Sequence, residues 1–330
     1  MKAAAARSLG WFRAWAWGLM LSLLSGCLAP PPRALALHDE PQPLDMQSPV
    51  RVALVLSGGG LRGLAHLGVL RVLHAHGLRP DLVVGTSVGA IIGGAYASGV
   101  SIEALETLPL PTQLDPWGSF FVSPAQRSAG LEAFVTARLA QRRLQDFPMR
   151  FVAVATARQS GCVMLFGSGD AARAIVASSA LPGALAPVRI GVTAYVDGGL
   201  GAPLPVRVAR ALGAQIVIAV DTTFHAEPVV PDGIVDSVFH AGMVMARNLA
   251  VLDRAAADLV LTPSLPPVAE VTLANRQALA QAGATAALQQ IDRLHALFKV
   301  DPRTTVSMRT WPPPPLCLAS SALSHAGIGP

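Results

Sequence analysis

The sequence predicts an α/β fold with three layers, in which helices cover both faces of a mostly parallel central sheet. Short apolar runs, among them Val50–Leu56 and Leu82–Val84, are each followed by a glycine-containing turn and then by a helical pattern. This alternation is typical of parallel strands joined by right-handed crossovers. The 330 residues are 52% hydrophobic and only 14% charged, so one large domain, predicted at residues 50–298, can bury a substantial core.

The N-terminal residues 1–26 have the pattern of a signal peptide. Basic residues precede an apolar run at 14–24, which is too short to span a bilayer comfortably. The Leu-Ser-Gly-Cys that ends at Cys27 resembles the lipobox of bacterial lipoproteins, which predicts cleavage before Cys27 and lipidation of that cysteine. Leu28 stands where an aspartate often retains lipoproteins in the inner membrane, so we expect an outer-membrane anchor facing the periplasm. An ordinary signal peptide or an uncleaved anchor is the alternative.

The two flanks of the predicted domain are rich in proline. Residues 27–49 predict an extended linker between the lipid and the domain, and residues 299–330 predict an irregular tail. Removing residues 1–26 removes three basic side chains and no acidic one, so the net charge becomes +5 − 3 = +2. No basic cluster is interleaved with aromatic residues, and nucleic-acid binding is therefore not expected.

The cysteine residues decide which disulfide and which metal site the chain can form. With Cys27 lipidated, only Cys162 and Cys317 remain. A disulfide between them would suit an oxidising periplasm, but nothing in their spacing indicates one, and we favour two unpaired thiols. No cluster of histidine, cysteine and aspartate has ligand spacing, so no metal is expected.

The chain is organised around the segment 81–99, DLVVGTSVGAIIGGAYASG. Its short apolar strand, the G-x-S-x-G at 85–89 and the small-residue helix that follows have the order of a nucleophile elbow. In such a turn Ser87 takes a strained backbone conformation, while Gly85 and Gly89 let the strand and the helix approach each other. The hydroxyl of Ser87 is therefore predicted to stand above the sheet beside the start of a helix. A glycine-rich turn with an incidental serine is the alternative.

Two more glycine motifs accompany this turn. The strand at 50–56 runs into SGGGLRG at 57–63 and then into a helix, and YVDGG at 195–199 places Asp197 in a tight glycine turn. In this order and context, the three motifs resemble those of the patatin-like phospholipase family. The resemblance covers about residues 50–220.

The resemblance implies a fold, a reaction and a set of site residues. It implies a patatin-like α/β/α domain that hydrolyses phospholipid or other lipid acyl esters through an acyl-serine intermediate, with a dyad of Ser87 and Asp197 and without a cofactor. The oxyanion hole implied by the family's glycine loop consists of the backbone N–H groups of Gly58, Gly59, Gly60 and Leu61. The supporting motif residues are Arg62, Gly63, Gly85, Gly89, Gly198 and Gly199.

Such a dyad places requirements on its surroundings. A carboxylate with an ordinary pKa is a weak base, so we expect the loop of Asp197 to be partly desolvated, which raises that pKa. Arg62 is expected to steady the glycine loop or to contact a lipid phosphate. The segment 177–183, ASSALPG, is similar to the A-x-S-x-A-x-P-G of the family and is expected to support the dyad. Pro203 stands where the family often has asparagine, which leaves open how firmly the aspartate loop is held.

Three other functions fit parts of the sequence. A Ser-His-Asp esterase or thioesterase would need His225 or His240, which follow a buried strand, as its base. Residues 58–63 also satisfy the G-x-G-x-x-G of dinucleotide-binding proteins, but Asp81 precedes the second strand instead of ending it, so no nucleotide cofactor is expected. A lipoprotein that binds lipid without catalysis would not need both members of the dyad.

The remaining elements follow from local patterns. Apolar periodicity and capping residues predict helices at 64–76, 101–108, 131–144, 171–178, 234–256 and 274–298. β-branched apolar runs predict strands at 151–157, 163–166, 215–220 and 258–261. The aromatic residues Trp117, Phe120 and Phe121 lie in an irregular stretch, where they form either a membrane-contacting patch or, as we favour, buried anchors of a loop.

Overall fold

The computed structural model describes residues 40–43, 50–107, 123–223, 234–266, 272–300 and 312–317. The signal peptide, Cys27, the aromatic residues of the stretch 117–121 and His225 lie outside the described residues, so the statements about them stay predictions. Within the described ranges, no helix has both the length and the apolarity needed to cross a bilayer.

The strands of the described residues form one sheet. They are β1 Gln42–Pro43, β2 Val50–Leu56, β3 Leu82–Thr86, β4 Arg150–Ala157, β5 Val163–Ser168, β6 Val188–Ile190, β7 Thr193–Asp197, β8 Ala214–Val220 and β9 Leu259–Leu261. Their order is β1-β5-β4-β3-β2-β8-β9, and β7 joins β4 to β6 outside this path. The five central strands, from β4 to β9, run parallel to one another. In the described ranges, antiparallel pairs occur only where β1, β5, β6 and β7 are added.

Helices flank this sheet on both faces. They are α1 Ala65–Ala75, α2 Val88–Ala97, α3 Ile102–Thr107, α4 Pro124–Arg138, α5 Ala171–Ser178, α6 Val206–Ala211, α7 Ile234–Arg254, α8 Leu273–Leu288 and α9 Ile291–Lys299. Along β2, Leu54 and Leu56 belong to one buried cluster, with α1, α2 and α8, whereas Ala53 and Val55 belong to another, with α6. Successive side chains of a strand point to opposite faces, so both faces are covered. The predicted three-layer α/β/α fold with its mostly parallel central sheet is confirmed.

Two predicted helices have wrong bounds. The helix predicted at 131–144 is α4, which ends six residues earlier than predicted, at Arg138, and begins seven residues earlier because Ser123 and Gln126 form a capping box and Pro124 opens the first turn. Those first turns lack apolar periodicity, which is why the pattern missed them. The helix predicted at 274–298 is divided into α8 and α9 at residues 289–290. Apolar residues continue across this break, so periodicity alone does not reveal it.

Both flanking segments contribute to the sheet. In the predicted linker, β1 pairs with β5. In the predicted tail, Cys317 forms a disulfide with Cys162, so the preference for two unpaired thiols is wrong. The N–H of Val163 donates to the carbonyl of Pro315 (2.8 Å), and the N–H of Cys317 donates to the carbonyl of Val163 (2.9 Å). Residues 312–317 are therefore attached to the start of β5 rather than irregular throughout.

Candidate active site

The strand β4 brings Ser87 and Asp197 together. β3 pairs with β4 as far as Thr86, which lies opposite Val154, and β7 pairs with the next part of β4, so that Asp197 lies opposite Ala155. Because β5 occupies the other edge of β4 over this stretch, β3 and β7 must share one edge. Ser87, which follows Thr86, and Asp197, the last residue of β7, therefore lie next to each other at this edge of β4.

Ser87 lies in a strained turn between β3 and α2. Its φ is 56° and its ψ is −125°, and among the described residues it is the only non-glycine residue with a positive φ. The turn also needs close packing, since a Cβ at Gly89 would overlap the carbonyl oxygen of Leu56. These features are those of the nucleophile elbow that the sequence predicts.

The hydroxyl of Ser87 donates a hydrogen bond of 2.7 Å to Oδ2 of Asp197. The other carboxylate oxygen, Oδ1, accepts a 2.7 Å bond from the backbone N–H of Gly199. Asp197 is only 4% exposed. Burial raises its pKa from 3.8 to about 6, although the two hydrogen bonds oppose this rise. The carboxylate is therefore a stronger base than an exposed aspartate, and it directly contacts the hydroxyl.

The glycine loop has fewer free N–H groups than the sequence suggests. The N–H of Gly58 donates to the carbonyl of Pro203 at 2.9 Å, so it is not free to bind an oxyanion, and the expected set of four donors is corrected to three. The N–H groups of Gly59, Gly60 and Leu61 have no acceptor within the described ranges. They lie at the start of a 3₁₀ turn, where the geometry of a helix leaves N–H groups unpaired.

Backbone contacts hold the loop that follows Asp197. The hydroxyl of Thr86 donates to the carbonyl of Ala202 at 2.8 Å, and the carbonyl of Pro203 accepts the N–H of Gly58. Main-chain acceptors thus connect the aspartate loop to β3 and to the glycine loop. The loop is held without the asparagine that the family often has at this position.

The end of α5 contacts the backbone of both Ser87 and Asp197. The hydroxyl of Ser178 accepts a 3.0 Å bond from the N–H of Ser87 and donates a 2.6 Å bond to the carbonyl of Val154. Two residues later, the carbonyl of Ala180 accepts a 3.0 Å bond from the N–H of Asp197. Ser178 is fully buried, so its hydroxyl supports the turn instead of facing a substrate.

No motif in the sequence singles out the polar cluster behind the glycine loop. Thr222 donates through its N–H to Oγ of Ser57 (2.9 Å) and through Oγ1 to the carbonyl of Gly58 (2.8 Å). Burial lowers the pKa of His66 to about 4, so its ring is neutral, and Nε2 lies 2.9 Å from the carbonyl oxygen of Ser57. This cluster could be found only from the order of the strands. β2 and β8 pair in parallel, so Ser57, which follows β2, lies beside Thr222, which follows β8.

Arg62 extends from the glycine loop toward α7. Its Nη2 lies 3.8 Å from Sδ of Met243, and its buried Nε has no partner within the described part of the chain. Burial lowers the pKa of this guanidinium to about 10. A cation that is desolvated and only weakly paired favours a nearby anion.

An apolar cavity lies beside the elbow helix α2. Leu64, Ile91, Ala95 and Phe134 are among the residues that line it. Ile91 is one helical turn from Ser87, so the cavity begins close to the elbow. Apart from Arg138, the residues that line it are apolar.

The competing interpretations find little support in the site. No histidine in the described ranges hydrogen-bonds to the dyad, and His66 is bonded to Ser57 instead. Asp81 accepts a 2.8 Å bond from the N–H of Val52 and precedes β3, whereas dinucleotide-binding proteins have their acidic residue at the end of the second strand. The residues described contain no group of three or more histidine, cysteine, aspartate or glutamate side chains that could hold a metal.

Comparisons with known proteins agree on one family. A family model described as "Patatin-like phospholipase" matches residues 54–210. An uncharacterized NTE family protein of Mycobacterium tuberculosis is 32% identical over 197 residues, which cover 58% of this chain and 52% of that protein. Lysophospholipase NTE1 of Debaryomyces hansenii is 31% identical over 181 residues, which cover 52% of this chain and 12% of that protein. This chain thus spans about half the length of the mycobacterial relative.

Among solved structures, VipD from Legionella pneumophila is similar with a TM-score of 0.46 and 14% sequence identity. The match covers 81% of this chain and 72% of that chain.

Asp197→Asn is expected to stabilise the fold at high pH. Because the pKa of Asp197 is higher in the folded state (about 6) than its ordinary 3.8, protonation favours folding below pH 3.8, and this contribution is lost as the pH rises through 6. A pKa difference of about two corresponds to about 3 kcal/mol. Urea denaturation should therefore show a free energy of unfolding up to about 3 kcal/mol higher for the variant at pH 8 and no gain at pH 4.

The matched control for this experiment is Asp170→Asn. Asp170 caps α5, and asparagine caps helices as well as aspartate does, so its stability should change little at either pH. A variant Asp197→Asn that is less stable than the wild type at pH 8 would contradict the buried-charge account.

Proposed function

We propose that this chain, a member of the patatin-like phospholipase family, is a serine acylhydrolase that cleaves acyl esters of membrane lipids. The observation that carries the proposal is the direct 2.7 Å hydrogen bond between the hydroxyl of Ser87 and the buried carboxylate of Asp197. Membership of the family supports lipid hydrolysis, and the geometry of these two residues supports the mechanism.

The first half of the proposed reaction acylates Ser87. Asp197 takes the hydroxyl proton while Oγ attacks the ester carbonyl carbon, and the carbonyl oxygen becomes an oxyanion. The free N–H groups of Gly59, Gly60 and Leu61 stabilise this oxyanion, and each such donor is typically worth about 3 kcal/mol. When the intermediate collapses, the C–O bond to the leaving group breaks, and protonated Asp197 returns its proton to the leaving alcohol.

The second half of the reaction releases the fatty acid. Asp197, ionised again, takes a proton from a water molecule whose oxygen attacks the acyl carbon. The bond to Oγ of Ser87 then breaks, and the proton returns to this oxygen. A pKa of about 6 suits both roles, because the carboxylate is ionised at neutral pH but more basic than an exposed aspartate.

Two features support a lipid as the substrate. The apolar side chains beside α2, one turn from Ser87, favour contact with an acyl chain. The weakly paired guanidinium of Arg62 favours a substrate that carries a phosphate, as phospholipids do. Together they favour a phospholipid over a neutral ester, with the acyl chain beside α2.

The direct bond between Ser87 and Asp197 disfavours the competing functions. A separation of 2.7 Å leaves no room for an imidazole between hydroxyl and carboxylate, which a Ser-His-Asp triad requires. Lipid binding without catalysis gives no reason for a strained serine next to a buried carboxylate, because both are costly to keep in a folded protein.

Replacing either member of the dyad is expected to abolish hydrolysis of a soluble ester such as p-nitrophenyl butyrate. We expect kcat to fall at least about 1,000-fold in Ser87→Ala and in Asp197→Asn, because each removes a group that reacts. Ser179→Ala is the matched control, since the hydroxyl of this buried serine donates to the carbonyl of Ile175 and, in the described structure, hydrogen-bonds to neither member of the dyad. It and His240→Ala should keep kcat within about threefold of the wild type. Full activity of a folded dyad variant would refute the assignment.

The pH dependence of kcat/KM should follow the titration of Asp197. Because the base acts in its ionised form, the rate should rise about tenfold per pH unit below pH 6 and level off above it. The measurement spans pH 4.5 to 8.5 and is repeated with a double variant, His225→Ala with His240→Ala. The inflection should stay in place in that variant; its disappearance would identify a histidine as the base.

We also propose that Cys27 is lipidated and anchors the enzyme to the outer membrane, where phospholipid is within reach. The support is the Leu-Ser-Gly-Cys that ends the apolar run of the N-terminal segment. Metabolic labelling of a bacterial host with an alkyne fatty acid should label the wild type and not Cys27→Ser. Ser87→Ala should be labelled like the wild type, and equal labelling of Cys27→Ser would rule out the anchor.

A further inference from the structure

The peptide that joins Gly58 to Gly59 is held at its carbonyl end. The hydroxyl of Thr222 donates to the carbonyl oxygen of Gly58 at 2.8 Å, and Oγ of Ser57 lies 2.9 Å from the same oxygen. The two hydroxyls are 3.0 Å apart, and the N–H of Thr222 donates to Oγ of Ser57 at 2.9 Å. Ser57 and Thr222 are fully buried, so water does not compete for these bonds.

A planar trans peptide points its C=O and its N–H in opposite directions. Fixing the carbonyl of Gly58 toward Thr222 therefore points the N–H of Gly59 away from Thr222, and this N–H has no acceptor in the part of the chain that the structure describes. The preceding peptide is bonded at both ends, by His66 at its C=O and by Pro203 at its N–H. Of these two peptides, only the second keeps an N–H for a ligand.

We propose that Thr222 is a positioning residue for the oxyanion hole, whose hydroxyl aims the N–H of Gly59 at the oxygen that becomes negative when Ser87 attacks. This inference rests on the proposed function. A hydrogen bond to the carbonyl also polarises the peptide and makes its N–H a better donor. Thr222 and Gly59 are packed so closely that a Cβ at position 59 would lie 2.6 Å from Oγ1 of Thr222.

Thr222→Val tests the hydroxyl while keeping the shape of the side chain. The next residue supplies the matched control: Thr223 is also buried, and its hydroxyl donates to Asp221 at 2.6 Å and not to the glycine loop. We expect Thr222→Val to lower kcat about 10- to 100-fold, with KM within about threefold of the wild type. Thr223→Val should keep kcat within about threefold, and Thr222→Ser, which retains the hydroxyl, should recover most of the rate.

A transition-state mimic separates positioning from a general loss of structure. In a short-chain alkyl trifluoromethyl ketone, Oγ of Ser87 adds to the carbonyl carbon, its proton passes to Asp197, and the ketone oxygen becomes an oxyanion. The inhibition constant for this compound should rise about 10- to 100-fold in Thr222→Val, in step with the fall of kcat. It should change little in Thr223→Val even if both variants lose similar thermal stability.

The outcomes distinguish a failure of the proposed function from a failure of the role inferred for Thr222. If the wild type shows no Ser87-dependent ester hydrolysis, the proposed function fails and this inference fails with it. If the wild type is active and Thr222→Val keeps kcat and ketone affinity within about threefold, or loses no more than Thr223→Val, only the inference fails. Should Thr222→Val not fold, Thr222→Ala is compared with Thr222→Ser in the same two assays.

Discussion

The site depends on a carboxylate, that of Asp197, which is buried and has no cation bonded to it in the described part of the chain. Asp197 receives hydrogen bonds only from neutral donors in the described structure, the hydroxyl of Ser87 and the N–H of Gly199. Neutral donors stabilise a buried charge only in part, so the pKa stays above its ordinary value. An arginine at this place would lower the pKa and make the carboxylate too weak a base for a serine hydroxyl. The absence of such a bond is therefore a requirement of the proposed chemistry.

The sheet provides the rigidity that this arrangement needs. The edge of β4 fixes where β3 ends and where β7 ends, so the separation of the dyad is set by strand register and not by flexible side chains. The glycine loop is fixed in a similar way, since β2 and β8 end side by side and bring Ser57 next to Thr222. Strain at Ser87 and burial of Asp197 are tolerated because two buried clusters cover both faces of the sheet.

The sequence predicts what local chemistry dictates and misses what depends on contacts between distant segments. The elbow, the glycine loop and the strand alternation are encoded in short motifs. The bond that occupies the N–H of Gly58 depends on Pro203, and the disulfide joins residues 155 positions apart, so neither has a local signal. Thr222 belongs to no motif, and its contact with the glycine loop can be predicted only once β2 and β8 are known to be neighbours. The capping box at Ser123 is a local signal for the start of α4, but the apolar periodicity that predicts the helix begins only at Leu131.

The most direct test of the central claim is to trap the acyl-enzyme. The full-length protein is mixed with an isotopically labelled acyl ester, quenched in acid within the first turnover, digested and analysed by peptide mass spectrometry. The account predicts an acyl group on Ser87 in the wild type and none in Asp197→Asn. An acyl group on another residue, or product formation without any adduct while Ser87 remains unmodified, would contradict it.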